Sequence, residues 1–399
     1  MRTVSTRLIQ RRILVLLLIM LGGASLLGFR LGFLQLWNSA FFQTKALEQR
    51  IQRIPVEGLR GGIYDRNGLP LAISISAHTV FAIPSEVQDP EATAKTLAAI
   101  LNLEEEFILK RLIKRSATEW LKKKVGDEEA RQILALDLPG IGIIPTSTRI
   151  YPYGSVAPQV LGFVGIDNQG LEGLELYYDD FLRGTPGQTV FERDAHGRAL
   201  EDGVRGFLPG ERGGDLYLTL DIFLQRMAEE EVRRATQETG SRLGLIIITD
   251  PTNGEILATA IYPSYDIENF ASYPASTRKN IAVTDTYEPG STFKAVTAAI
   301  AVNEGVASLN SGFFDPGYIR VSGWNVRCWN RGGHGSQSFA ETMQNSCNPY
   351  YAKLALDLGP ERYYTGLTQF NLGYKTGIDF PGEMGGTLRA PSTNVPLVT

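Results

Sequence analysis

Cysteine and histidine are scarce in this chain: Cys328 and Cys347, and His78, His196 and His334, are all that 399 residues contain. Two thiols cannot build a disulfide framework. They could form one bond in an oxidising compartment, although Cys347 reads more simply as a small core residue. The histidines are far apart with no metal-ligand spacing, so no zinc site is expected. His334, between Gly333 and Gly335, reads as a turn residue rather than a general base, because no Gly-x-Ser-x-Gly elbow is present to pair with it. Gly140-Ile141-Gly142 lacks the third glycine of a dinucleotide fingerprint. A net charge of only -4 gives no drive toward nucleic acid. With 43% hydrophobic and 21% charged residues the composition is that of an ordered globular chain, long enough for two or three domains.

One long apolar run is present near the start. Arg2, Arg7, Arg11 and Arg12 precede an uncharged stretch from Ile13 to Phe29, and after Arg30 the run resumes to Trp37. With Arg30 snorkelling, this suffices for a bilayer core of about 30 Å. Trp37, Phe41 and Phe42 suit an interfacial aromatic belt. The basic flank predicts a cytoplasmic tail over residues 1–12, an uncleaved anchor over 13–37 and the bulk of the chain outside. Phe42 to Arg53 reads as a short polar helix that Pro55 ends.

The chemistry centres on Glu288-Pro289-Gly290-Ser291-Thr292-Phe293-Lys294. Pro289 and Gly290 break the chain, and Phe293 to Val302 reads as a largely buried helix. Residues three apart share a helix face, so the Lys294 amine would stand beside the Ser291 hydroxyl. A serine needs a neighbour to take its proton, and a lysine can do so only when its pKa falls from about 10.4. Ser-x-x-Lys alone is a weak signal. Here Ser346-Cys347-Asn348 supplies a Ser-x-Asn triplet 55 positions further on.

With these strings the chain resembles the class B penicillin-binding proteins, of the division-type or elongation-type group, membrane-anchored transpeptidases of bacterial wall synthesis. The resemblance extends along most of the chain. Arg60-Gly61-Gly62-Ile63-Tyr64-Asp65-Arg66-Asn67-Gly68 is similar to the string that opens the family's non-catalytic pedestal, with a turn at Asp65 to Gly68 and a strand from Leu71 to Ile83. Apolar residues between Glu91 and Lys124 predict a small two-helix subdomain whose basic face includes Lys110, Arg111, Lys114, Arg115 and Lys122 to Lys124. Leu138 to Pro152 resembles the pedestal's returning strands. The segment around Glu172 and Glu175 does so too, and no sugar-binding aromatic cluster supports reading those glutamates as a glycosidase pair. Turns are expected at 184–187 and 193–198.

A glycine-rich stretch at 201–214 places the division between a pedestal over 38–205 and a catalytic domain over 206–399. Strand 215–220, helix 222–239, strand 245–249 and strand 255–262 then lead to the Ser291 helix. That order resembles the opening of the penicillin-recognising serine transpeptidase fold. The expected class is therefore α+β: a single N-terminal transmembrane helix, an elongated mixed α/β pedestal, and an antiparallel sheet flanked by helices. Lys375-Thr376-Gly377 imitates the family's third motif, but Ile378-Asp379-Phe380-Pro381-Gly382-Glu383 after it is turn chemistry. It reads as a loop, which leaves the domain incomplete at Thr399 and predicts truncation at the C-terminus.

The resemblance implies a D,D-transpeptidase. Ser291 would attack the carbonyl between the terminal D-alanines of a peptidoglycan stem peptide, with Lys294 as base, Ser346 relaying the proton and Asn348 holding Lys294 and the substrate amide. β-Lactam antibiotics would trap Ser291. No metal or organic cofactor is implied; the partners expected are the membrane and a polytopic glycan polymerase of the division or elongation complex. Two rivals stay open: a serine β-lactamase or β-lactam sensor, and a non-catalytic membrane scaffold or inactive fragment of the wall-synthesis machinery.

Overall fold

An uninterrupted aliphatic run leaves a helix no polar face to turn toward water. The computed structural model, which describes residues 6–39, 41–42, 44–45, 51–192 and 205–391, folds Thr6–Gly32 into α1, followed by a π-helical turn at Phe33–Trp37. The span Ile13–Trp37 has 25 residues, a mean hydropathy of 2.2 and no part buried. At about 1.5 Å per residue it is long and apolar enough to cross a membrane.

After α1 the expected helix is present at residues 42 and 44–45, but the chain departs from it at residues 51–53. Ile51–Val56 is a strand, β1, paired antiparallel with Gly187–Glu192 so that Ile51 faces Glu192 and Val56 faces Gly187. Residues 46–50 of the predicted helix, the 1–5 end of the tail, the turns at 193–198, the first four residues of the glycine-rich stretch and residues 392–399 lie outside the described residues.

The pedestal is built on a long bent strand. β2 (Ile63–Tyr64) turns through Asp65, whose carboxylate accepts from the amides of Asn67 and Leu69, both at 2.8 Å, into β3 (Pro70–Ala82). β3 pairs on one side with β4 (Glu119–Val125) and on the other with β5 (Ile141–Ile150), in register from Ile73↔Ile150 to Ala82↔Ile141. The predicted helices form as α2 (Pro90–Leu101), begun by the Asp89 cap, and α3 (Glu105–Leu112); a further helix, α4, covers Asp127–Ala135. Lys122 to Lys124, expected on a basic helical face, instead lie in β4. The Lys122 ammonium donates to the Leu101 carbonyl at 2.7 Å, Lys123 pairs with Asp167, and Lys124 reaches the Gly165 carbonyl. Val80, Leu97, Leu101, Ile108 and Val125 make a dry core beneath the helices. Leu97 is fully buried there, so Leu97→Ala should cost about 2–5 kcal/mol, read as a lowered thermal midpoint of the pedestal.

Next come β6 (Gly187–Glu192) and β7 (Arg205–Leu208), paired with each other, and β8 (Leu216–Tyr217), which returns to lie parallel to β2. β7 therefore crosses position 206. A shared core ties the pedestal to the domain that follows it. Ile63, Leu71, Leu161 and Phe163 pack with Leu220, Ile222, Tyr265 and Ile267, Phe163 stacks on Phe270 at 3.8 Å, and Arg278 pairs with Glu172 at 2.9 Å.

Asp221 caps α5 (Ile222–Thr239) by accepting from the amides of Phe223 and Leu224. β9 (Gly244–Thr249) and β10 (Ile256–Tyr262) form the expected hairpin, and Ala228 and Val232 of α5 pack on Ala258 and Ala260. A 3-10 turn at Gly290–Phe293 leads into α6 (Lys294–Asn303). That helix is not largely buried: Thr297, Ala298, Ile300 and Ala301 form the covered face, whereas Ala295, Ala299 and Val302 are exposed. The covered face packs on Tyr351, Leu354, Leu358 and Leu367. β11 (Gly312–Asp315), β12 (Tyr318–Val321), β13 (Trp324–Arg327) and β14 (Gly335–Ser338) form two ribbons, β11 with β14 and β12 with β13. α7 (Phe339–Gln344), closed by a Ser338/Glu341 capping box, precedes α8 (Asn348–Gln369), which is broken at Gly359-Pro360.

Candidate active site

Ser291 and Lys294 meet where the 3-10 turn becomes α6. Gly290 takes a φ of 62°, a left-handed conformation that glycine adopts without strain, and this turns the backbone into Ser291. The Lys294 amine is 3.3 Å from the Ser291 hydroxyl, which is exposed. The three-residue spacing thus acts as expected, through a tighter turn than an α-helical one.

Ser346 and Asn348 come from the connection between α7 and α8. The Ser346 amide bonds back to the Met343 carbonyl and the Cys347 amide to Thr342, so the backbone curls tightly after α7. Ser346 sits at φ 50°, a strained conformation of the sort found where function over-determines geometry. Pro349, within the first turn of α8, fixes the helix start and aims Asn348 at Lys294. The Lys294 amine donates to Asn348 Oδ1 at 2.6 Å, to the Ser346 carbonyl at 2.7 Å and to the Ser346 hydroxyl at 2.8 Å. All four residues singled out from the sequence are therefore brought to one amine.

Proton counting gives this arrangement its chemical content. Four oxygens surround Lys294, but an ammonium has three protons. As a neutral amine, Lys294 spends two N–H groups on the Asn348 and Ser346 oxygens and keeps a lone pair for the Ser291 proton. Burial pushes its pKa below the ordinary lysine range, against a weaker opposing influence of Cys347 and Cys328. Asn348 is oriented by a hydrogen bond from its Nδ2 to the Arg327 carbonyl at 3.0 Å. The Tyr351 ring lies 5.7 Å from the Lys294 nitrogen.

Sequence reasoning missed these two supports. Tyr351 stands three residues after Asn348 on α8, a detectable signal. The Arg327 carbonyl ends a strand and had none. Lys375-Thr376-Gly377 lies in irregular backbone, as expected, with the Glu383 carboxylate accepting from the Thr376 amide and hydroxyl and the Gly377 amide. Glu175 is enclosed by arginines in the pedestal. The fold also joins residues that spacing had kept apart: ligand atoms of Asp315, Cys328 and His334 lie within 4.8 Å of one another.

Comparison with known proteins agrees with this architecture. Residues 55–218 match the penicillin-binding protein dimerisation domain, and residues 244–395 match the penicillin-binding protein transpeptidase domain. The chain is 40% identical over 390 residues to stage V sporulation protein D of Bacillus subtilis, covering 96% of this chain and 60% of that protein. It is 31% identical over 344 residues to the peptidoglycan D,D-transpeptidase FtsI of Escherichia coli, covering 84% and 57%. The chain thus spans about three-fifths of the length of these curated relatives. Among solved structures, the penicillin-binding protein PBP2 of Helicobacter pylori, in complex with MreC, superposes with a TM-score of 0.70 at 23% identity over 85% of this chain and 69% of that one, a likeness of fold. A dimerisation domain ahead of a transpeptidase domain, behind an apolar N-terminal helix, places the chain in the class B penicillin-binding proteins.

Proposed function

We propose that this protein carries the acylation centre of a membrane-bound peptidoglycan D,D-transpeptidase. The observation that carries the reading is the convergence of Ser291, Ser346 and Asn348 on one partly desolvated amine, Lys294. In the first step neutral Lys294 takes the Ser291 proton while the serine oxygen attacks the carbonyl between the terminal D-alanines of a stem peptide. The Ser291 backbone amide, at the head of the 3-10 turn, offers half of an oxyanion hole. The proton passes from Lys294 through the Ser346 hydroxyl to the departing D-alanine amine, and Asn348 holds both the lysine and the substrate amide. An amine of a neighbouring stem then resolves the ester. A β-lactam follows the same first step, and the serine ester persists.

α1 is the anchor, with the arginine-flanked N-terminus in the cytoplasm and the remaining chain outside. The pedestal and anchor meet partner proteins of the wall-synthesis machinery, among them a polytopic glycan polymerase. A protein partner is proposed because the PBP2 of Helicobacter pylori, similar in fold, forms a complex with MreC.

The test is the rate of acylation by a fluorescent penicillin as a function of pH. Protonated Lys294 cannot act as base, so the rate should rise with pH and level off below about 10.4, the ordinary lysine value, because burial lowers the pKa. Lys294→Ala should lose about 10²–10⁴-fold. A pH-independent rate, or one unchanged in Lys294→Ala, would remove Lys294 from the mechanism.

A further inference from the structure

The segment from Pro316 to Ala340, which leads toward Ser346, carries Arg320, Arg327 and Arg331 and no aspartate or glutamate. Its acidic neighbours are already engaged: Asp315 accepts from the Gly317 and His334 amides, and Glu341 accepts from the Ser338 amide and hydroxyl. All three arginines are exposed, and none of their guanidinium groups forms an ion pair or hydrogen bond with a described residue. Surface cations elsewhere in the same domain do have carboxylate partners, Arg233 in Glu230, Arg234 in Glu231 and Lys353 in Asp357. The acylation centre is therefore bordered by uncompensated positive charge.

The β12–β13 ribbon holds two of these arginines in a fixed relation. Ser322 and Gly323 take φ of 45° and 89°, the left-handed pair of a tight hairpin turn, between strands whose register is Tyr318↔Arg327, Ile319↔Val326, Arg320↔Asn325 and Val321↔Trp324. Directly opposite residues share a face. Ile319, Val321 and Val326 are wholly or partly covered, on the side that packs against α8, whereas Tyr318, Arg320, Asn325 and Arg327 are exposed on the other. Arg320 and Arg327 are diagonal neighbours on this outer face, a backbone separation of about 7–8 Å that long side chains span. Two like charges so placed repel each other until an anion lies between them. The same ribbon reaches the reacting groups: the Arg327 carbonyl accepts from Asn348 Nδ2 at 3.0 Å, and Asn348 Oδ1 accepts from Lys294 at 2.6 Å. One asparagine side chain separates it from the base.

We infer that Arg320 and Arg327 bind a free carboxylate of the stem peptide, upstream of the bond that Ser291 attacks. The inference rests on the acyl-transfer reading above, in which the peptide lies against Asn348. A guanidinium presents paired N–H donors in a plane, a geometry that matches a carboxylate and that a carboxamide satisfies poorly. Two of them on one ribbon face set the direction of the peptide relative to Ser291. They also distinguish an acidic stem from an amidated one.

The experiment uses the full chain in detergent carrying Ser291→Ala, so that bound peptide is not consumed. Two fluorescent pentapeptides ending in D-Ala-D-Ala are titrated by anisotropy; they are identical except that the upstream carboxylates are free in one and carboxamides in the other. The free-acid peptide should bind about 10-fold more tightly. That ratio should fall as salt is raised from about 0.1 M to about 1 M, where the screening length drops from about 10 Å to about 3 Å. Arg320→Gln, away from Asn348, should lower it to about threefold, and Arg320→Gln with Arg327→Gln to about one. The comparison of the two peptides and its salt dependence need neither arginine variant, so they decide the matter even where a variant fails to fold. Equal affinity for the two peptides, no binding of either, or a ratio that survives in the double variant overturns the assignment. Penicillin labelling of the wild type is read separately. Labelling with a ratio of one removes the arginine site alone, whereas a tenfold ratio without labelling upholds the site and removes the acylation reading.

Discussion

Ser291→Ala abolishes covalent capture of a fluorescent penicillin: this is the largest catalytic effect expected. The label is retained only through a bond to an attacking oxygen, and alanine has none. Hydrolases that lose their nucleophilic serine fall by about 10⁶-fold, because the remaining groups act through that oxygen. The fold should be indifferent to the change. Ser291 is exposed and its hydroxyl makes one long contact, to Lys294, so thermal stability should move by no more than about 0.5 kcal/mol. Loss of label with an unchanged melting curve separates chemistry from folding. Stoichiometric labelling of Ser291→Ala would place the nucleophile elsewhere.

Asn348 provides a graded comparison for the same assay. Its Oδ1 takes the shortest of the Lys294 hydrogen bonds, and its amide nitrogen is fixed on the Arg327 carbonyl. Asn348→Ala removes the acceptor but leaves the serine and the base, so it is expected to slow acylation without eliminating it.

The range of each interaction decides whether the sequence discloses it. Ser291 and Lys294 meet because one turn of backbone joins them, and a three-residue spacing records that directly. Ser346 and Asn348 are legible as a motif, but their approach to Lys294 depends on α6 packing against α8. Residues 51–53, expected as the end of a helix, mislead because Ile-Gln-Arg-Ile-Pro-Val takes its strand form from β6, more than 130 positions away. Lys122 to Lys124 mislead for a local reason. Leu121 and Val125 are both buried, and a spacing of four satisfies a helix face as well as alternate positions of a strand. The Asp315, Cys328 and His334 cluster is invisible because the β11–β14 register that brings Asp315 opposite Gly335 is a tertiary fact, and no spacing rule for metal ligands contains it.

The largest expected effect on stability lies in the pedestal. Glu175 is fully buried between two arginines: one carboxylate oxygen accepts from Arg60 Nε at 2.7 Å and the other from Arg149 Nε at 2.7 Å. Arg60 also donates to Asp179 and to the Glu175 and Asn168 carbonyls, and Arg149 donates to the Gly61 carbonyl. The group thereby fastens the Arg60-Gly61-Gly62 segment to β5 and to the short helix at Gly173–Tyr177. Such a network adds little net energy over an apolar core of equal shape, yet removing one member is costly, because the remaining charges stay buried without a counter-ion. Glu175→Ala leaves Arg149 without a carboxylate and Arg60 with Asp179 alone, and should cost about 3–5 kcal/mol, a fall of roughly 10 °C in the pedestal's thermal midpoint. Glu175→Gln keeps the shape but turns an amide N–H₂ toward one arginine, so it should recover only part of the loss. Because Arg149 loses its carboxylate partner in either case, Arg149→Ala combined with Glu175→Ala should destabilise by clearly less than the sum of the two single changes. A loss below about 1 kcal/mol for Glu175→Ala, or simple additivity in the double variant, would mean that solvent reaches the arginines and that the segment is fastened by its backbone pairing alone.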